Sequence, residues 1–266
     1  MLTPDQIIHF ERHGWVLQEK VFTTEQIAAF RLALDRQDAG FIPVGHSADD
    51  GPIRNIDAHI GRDPVFLEWI GNVALLEANR QLMGAELHHE GCHAMISSPH
   101  PDRLAKCREL KNPEHWGWHR GIRPKWGAHP HDIDPALHQY SFLNNITYLR
   151  DVNPGDGATA VLDGSHLSEG TYATLKDRFP VVELTAAAGS VLHFTETLIH
   201  TGVPITSERS RYAMFLGFTP PWYLAWPQSA GQKELGEQIR DPAIRRLFSP
   251  GSYAGQQVDM SLYSHG

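Results

Sequence analysis

The spacing of apolar positions changes once along the chain, near residue 85. Before that point it is helical. Thr3-Pro4 reads as an N-cap with proline at the first helical position, Ile7 and Phe10 share a face, and Gly14 is a stop. Trp15-Val16-Leu17 then reads as a short strand. Thr23 with Gln26 three residues on fits a capping box, after which Ile27, Phe30 and Leu34 recur at the spacing of one helix face. Residues 64–83 carry two further helical patterns, PVFLEWI and VALLEANRQLM, separated by Gly71. Beyond 85, short apolar runs (FLNNITYL, ATAVLDGSH, VVEL, VLHF, RYAMFLGF) alternate with clusters such as DVNPGDG and AAAGS. Runs of that length between Gly, Pro, Asn and Asp clusters predict a sandwich or barrel of short strands. The expected fold class is mainly β with N-terminal helices. The expected organisation is one domain, with a helical part at about 1–84, a β core at about 85–220, and a C-terminal extension at 221–266 holding a short helix near Pro242 to Leu247. No internal repeat or low-complexity tract interrupts it.

Composition narrows the class without naming a chemistry. With 41% apolar and 20% charged residues among 266, the chain can bury a core and is not a disordered segment. A net charge of −8 argues against a protein that coats a nucleic-acid polymer. Cys92 and Cys107 are too few for a disulfide scaffold and lack the paired spacing of a zinc site, which points to a reducing, cytoplasmic compartment. The opening MLTPDQIIHFERHGW shows no apolar run behind basic residues, so no secretory leader is expected, and no stretch approaches a membrane span. Histidine, at 17 residues, is the one unusual count, and it directs attention to metal chemistry.

Three segments carry that chemistry: WHRG at 118–121, GATAVLDGSH at 157–166, and HTGVPITSERSR at 200–211. In this order and spacing they resemble the phytanoyl-CoA dioxygenase family of iron(II)/2-oxoglutarate oxygenases. The resemblance runs from about residue 3 to about residue 220 and includes the Gly14-Trp15-Val16 entry. It implies a double-stranded β-helix, the jelly roll of cupin-like proteins, in which ligands distant in sequence converge from neighbouring strands. It also implies His119 and His200 as iron ligands, and Arg211, eleven positions after His200, as the cation for the far carboxylate of 2-oxoglutarate. Arg209 is the fallback, because strand alternation places 209 and 211 on one face. Asn144, Ile146 and Tyr148 share a face of their strand, so Asn144 and Tyr148 are candidates for hydrogen bonds to the cosubstrate. His166, in the G-S-H turn, reads as structural. Of His88, His89 and His93, which begin the β core, one strand face alone can point inward. His129, His131 and His138 lie in a Pro-rich stretch without a close helical pair and read as a loop over the site rather than a zinc centre.

The chain departs from the family at Gly121. The hydroxylases of the family place an aspartate two residues after the first histidine, whereas glycine offers no carboxylate. At this point the chain resembles the family's His-x-Gly halogenase subgroup, in which the vacated metal position takes halide. The resemblance therefore implies iron(II), 2-oxoglutarate, O2 and chloride as cofactors, with Gly121 shaping the halide space. Two alternatives stay open: a carboxylate from elsewhere, such as Asp132, Asp134 or Glu196, giving a hydroxylase, or a site that binds without catalysis. The His-x-Gly subgroup acts on free metabolites, so a small-molecule substrate is expected, with no carrier protein, nucleic-acid polymer or membrane. The basic stretch from Arg103 to Lys125 suggests an anionic substrate such as a nucleotide, or a solvated loop. Arg120, Arg123 and Trp118 are the candidate substrate contacts.

Overall fold

Both N-terminal helices start from the side-chain caps that the sequence predicts. In helix α1 (Pro4–His13) and helix α2 (Thr24–Arg36), Thr3 and Thr23 accept from the backbones of Gln6 and Gln26, whose side chains return to the threonine N–H groups. Gly14 ends α1 at φ 81°, a left-handed conformation that glycine adopts without strain. Two further helices, α3 (Val65–Ile70) and α4 (Val73–Met83), follow Pro64 and an Asn72 cap. The computed structural model describes residues 1–37, 53–56, 63–84, 86–121, 140–221, 223 and 235–248.

The described strands are β1 (Trp15–Gln18), β2 (Ile53–Asn55), β3 (His88–Ser97), β4 (Leu143–Tyr148), β5 (Thr159–Leu162), β6 (Val181–Leu184), β7 (Val191–Thr195), β8 (His200–Gly202) and β9 (Arg211–Thr219). They form a six-stranded sheet in the order β1-β7-β4-β9-β3-β2 and a three-stranded sheet in the order β6-β5-β8, with all pairings antiparallel. This is a jelly-roll sandwich with helices on the outer face of the larger sheet.

Alternation along β4 shows how the layers are built. Asn145 and Thr147 face the helices: Asn79 of α4 donates to the Asn145 amide oxygen at 2.9 Å, and the Trp69 indole of α3 donates to Thr147 at 3.0 Å. The intervening Ile146 and Tyr148 face the smaller sheet and join Val161, Leu192 and Phe194 in the apolar layer between the sheets. A larger apolar layer, including Phe10, Phe30, Trp69, Leu75 and Phe218, lies between helices and sheet. Among the described residues no helix is long and apolar enough to cross a membrane.

The strand expected at Trp15-Val16-Leu17 is present as β1, and with β2, which the sequence pattern does not mark, it forms the two edges of the six-stranded sheet. β2 is three residues long, too short for a period-2 pattern to show, and gains its order from pairing with Asn55↔Met95 to Ile53↔Ser97. The helix expected near 242–247 is present as Pro242–Leu247, capped by Asp241. Leu247 is buried, and Phe248 stacks on the buried His89 at 4.3 Å.

The G-S-H turn is held against the end of α1. The Asp163 carboxylate accepts from His13 Nδ1 and Trp15 Nε1, each at 2.7 Å, and the Gly164 N–H donates to the His13 carbonyl at 3.1 Å. His166 Nε2 donates to the Glu11 carbonyl at 3.2 Å, and its ring fills the space above Gly14, where a Cβ would come within 2.6 Å of Nδ1. His166 is a packing residue. Asp163→Ala strands the Trp15 N–H and should lower unfolding stability by about 1–3 kcal/mol in urea titrations followed by tryptophan fluorescence. A change within about 0.5 kcal/mol, the range of an ordinary surface substitution, would show that the anchor carries no weight.

Candidate metal centre

His119 and His200 meet as an antiparallel bridge. The His119 N–H donates to the His200 carbonyl at 3.0 Å, and the His200 N–H returns to the His119 carbonyl at 2.9 Å. Directly opposed residues in an antiparallel pair project to the same face, and the two ring centroids stand 4.4 Å apart. Each ring is fixed by its own strand: His119 Nδ1 lies 2.9 Å from the Gly117 carbonyl, and His200 Nδ1 lies 2.8 Å from the Leu198 carbonyl. A carbonyl oxygen only accepts, so Nδ1 carries the proton in both rings and Nε2 keeps its lone pair. Burial, reinforced by the neighbouring His119, pushes the His200 imidazole down to about 3, so it is neutral, the form that binds a metal.

Both histidines open onto a cavity of about 680 Å³ between the sheets, which Asn144, Ile146 and Arg211 also line. Arg211 opens β9, is buried, and donates from Nη1 to the Gly157 carbonyl at 2.7 Å. Arg209, two residues earlier, points outward. It pairs with Asp156 at 3.2 Å and donates to the Asp151 carbonyl. The register therefore brings Arg211 and not Arg209 to the cavity. Tyr148 lies beneath the wall rather than on it: it is fully buried, and its hydroxyl donates to Thr159 at 3.0 Å. Burial raises the Tyr148 pKa, and the Arg211 charge acts in the opposite sense. Tyr148 thus supports the floor next to Arg211, which corrects the expectation that it reaches the cosubstrate directly.

Two candidate substrate contacts are also corrected. Trp118 and Arg120 flank His119 and so face away from the cavity. Trp118 stacks on Tyr172 at 4.6 Å and donates to the Pro113 carbonyl, while Arg120 donates to the Ser168 and Ser165 carbonyls at 2.9 and 3.4 Å. Arg123, Lys125, Asp132, Asp134 and His129, His131 and His138 lie outside the described residues. Elsewhere in the basic stretch, Arg103 pairs with Glu208 and Lys106 with Asp102. Of the three histidines at the start of the β core, it is His93 on β3 that lines the far wall, stacked on Phe215 of β9 at 4.6 Å. The signal was the alternation of β3, in which His93 and Met95 interleave with the buried Cys92, Ala94 and Ile96.

The space facing Gly121 is filled. A Cβ built on Gly121 falls on the carboxylate and Cγ of Glu196. Glu196 sits in the turn between β7 and β8, lines the cavity, and is pushed up to about 7 by burial. Its Oε2 is a buried oxygen with no hydrogen-bond donor among the described residues. Two oriented imidazoles and an unpartnered carboxylate oxygen on one cavity fit a divalent cation of the non-haem iron type, whose usual set is two histidines and a carboxylate. Among the described residues, no three histidine, cysteine, aspartate or glutamate side chains stand together as a group that could hold a metal ion.

Comparison with known proteins places the chain. Residues 10–213 match the model of the phytanoyl-CoA dioxygenase (PhyH) family. The chain belongs to that family. No curated protein matches it. Solved structures share the family's jelly roll at low identity. HygX from Streptomyces hygroscopicus, with nickel, 2-oxoglutarate and hygromycin B bound, is 19% identical at a TM-score of 0.63, over 85% of this chain and 90% of that one. SnoK, a non-haem α-ketoglutarate-dependent carbocyclase from nogalamycin biosynthesis, is 17% identical at 0.65, over 94% and 92%. SnoN, the epimerase from the same pathway, is 13% identical at 0.61, over 82% of each chain. This fold therefore accompanies more than one reaction outcome, and the outcome has to be argued from the site.

Arg120→Met removes two donors from the Ser165–Ser168 turn and should cost about 1–3 kcal/mol of stability. Iron(II) affinity, measured by anaerobic calorimetry, should stay at the parent value. A loss of substrate turnover without loss of stability would return Arg120 to the substrate site.

Proposed function

We propose that the chain is an iron(II)- and 2-oxoglutarate-dependent enzyme that oxidises an unactivated C–H bond of a free small molecule. The observation that carries this reading is the His119–His200 bridge, which presents two Nε2 lone pairs to a cavity that also holds Arg211. His119 and His200 would hold the iron, which supplies activation of O2 with 2-oxoglutarate as the electron source. Arg211 would bind the far carboxylate of 2-oxoglutarate. Its guanidinium is planar, permanently charged and steadied by the Gly157 carbonyl. Asn144, on the same cavity, offers an amide to cosubstrate or substrate. Apolar and aromatic walls from Met95, Phe142, Ile146, Phe194 and Phe215 suit a substrate with a substantial apolar face. Arg103 and Lys106 are paired with Glu208 and Asp102, so these two charges give an anionic nucleotide little support.

We favour oxygenation, because the Glu196 carboxylate fills the position of a Cβ at Gly121, two residues after His119. Halogenation remains a second reading, favoured by Gly121, which brings no ligand of its own. Chloride titrated anaerobically into protein loaded with iron(II) and 2-oxoglutarate separates them. A shift of the visible metal-to-cosubstrate band supports halogenation, and an unmoved band supports oxygenation.

His119→Ala and His200→Ala should each abolish stoichiometric iron(II) binding in anaerobic calorimetry, and a variant that keeps it would remove that residue from the centre. Arg211→Ala should weaken 2-oxoglutarate binding by about 2–5 kcal/mol while iron binding persists, the cost of stripping one partner from a buried charge pair. If Arg209→Ala gives that phenotype instead, the cosubstrate lies elsewhere.

A further inference from the structure

We propose that Glu196 supplies the metal carboxylate that the His119-x-Gly121 segment lacks, reaching the site from the turn before His200. The inference rests on His119 and His200 being the metal pair. Its basis is spatial. An aspartate at 121 would project from the Cβ position of that residue, and the Glu196 carboxylate and Cγ occupy that position. The backbone of Glu196 is fixed from both sides. Its N–H donates to the Phe142 carbonyl at 3.1 Å, and its carbonyl accepts from the Gly121 N–H at 2.9 Å. Glu196 is therefore locked across from Gly121, four residues before His200, and its longer side chain spans the gap between the two strands.

Two features become intelligible together. Glycine at 121 leaves room for the Glu196 side chain, which any β-carbon would displace. Glu196 lines the cavity that also holds the two imidazoles, and its buried Oε2 has no donor among the described residues. Among the described residues the three groups do not stand together as a metal-holding set, so the assignment requires the Glu196 side chain to turn towards the imidazoles while its backbone stays held. Gly121 then marks a carboxylate moved to the neighbouring strand, not a coordination position left for halide.

The test is metal affinity rather than turnover. Iron(II) is titrated anaerobically by calorimetry into the full chain and into Glu196→Ala, Glu196→Gln, Gly121→Asp with Glu196→Ala, and His200→Ala, with circular dichroism melts checking the fold. Glu196→Ala and Glu196→Gln should each lose about tenfold to a hundredfold in affinity or more, at or above the loss seen when residues behind a metal ligand are removed. The double variant restores a carboxylate from position 121 into the emptied volume and should recover most of that loss. If Glu196→Ala does not fold, the near-isosteric Glu196→Gln decides. Parent-like affinity in Glu196→Gln and in any folded Glu196→Ala overturns the inference. If His200→Ala loses iron while the Glu196 variants keep it, the metal pair stands and this assignment alone fails. If His200→Ala also binds like the parent, both fail.

Discussion

The site depends on the reciprocal backbone hydrogen bonds between His119 and His200. These residues are 81 positions apart, and nothing local brings them together. The antiparallel bridge forces both side chains to one face, and the carbonyls of Gly117 and Leu198 then fix which ring nitrogen carries the proton. Backbone geometry thus sets position, orientation and tautomer. The two Nε2 atoms are oriented before any cation arrives, which limits the reorganisation that binding one would require.

The same ladder governs what stands beside the pair. Two residues past His119, the Gly121 N–H reaches the Glu196 carbonyl, so the turn between β7 and β8 lies along the segment that would ordinarily bear the family's aspartate. A glycine there can be read as a missing ligand or as room for a neighbour's side chain. The overlap of the Glu196 side chain with the absent Cβ favours the second reading. The buried arginine of the cavity follows from register as well. Arg209 and Arg211 have equal charge and share strand parity, yet Arg209 is spent on Asp156 at the surface while Arg211 is buried against the Gly157 carbonyl. Extended pairing starts at Arg211, so the strand carries that side chain inward and leaves Arg209 on the preceding loop.

Around this centre the layers divide the labour. The helices and the polar contacts on the outer face of the six-stranded sheet, among them Trp69 to Thr147 and Asn79 to Asn145, fix the larger sheet from outside. The inner face is then free to be a cavity. Anchoring of the G-S-H turn through Asp163, and of Arg120 through the Ser165 and Ser168 carbonyls, holds the smaller sheet to the N-terminal segment. Residues next to His119 in sequence serve this outer scaffold because alternation turns every second side chain away from the site.

By itself the sequence determined what is encoded locally. The caps at Thr3 and Thr23, the stop at Gly14, the helix at Pro242–Leu247 and most strands follow from short-range patterns that tertiary packing had no reason to override. The ordered motifs also pointed to the family, and with it to His119, His200 and Arg211. Tertiary structure alone decided what depends on facing and proximity. It turned Trp118 and Arg120 outward, put Tyr148 beneath the wall, and drew β2 to a sheet edge through its partner strand. It also lodged the Glu196 side chain against Gly121. Periodicity states which residues share a face, but which strand lies across from that face is fixed by hydrogen bonds between segments far apart in the chain.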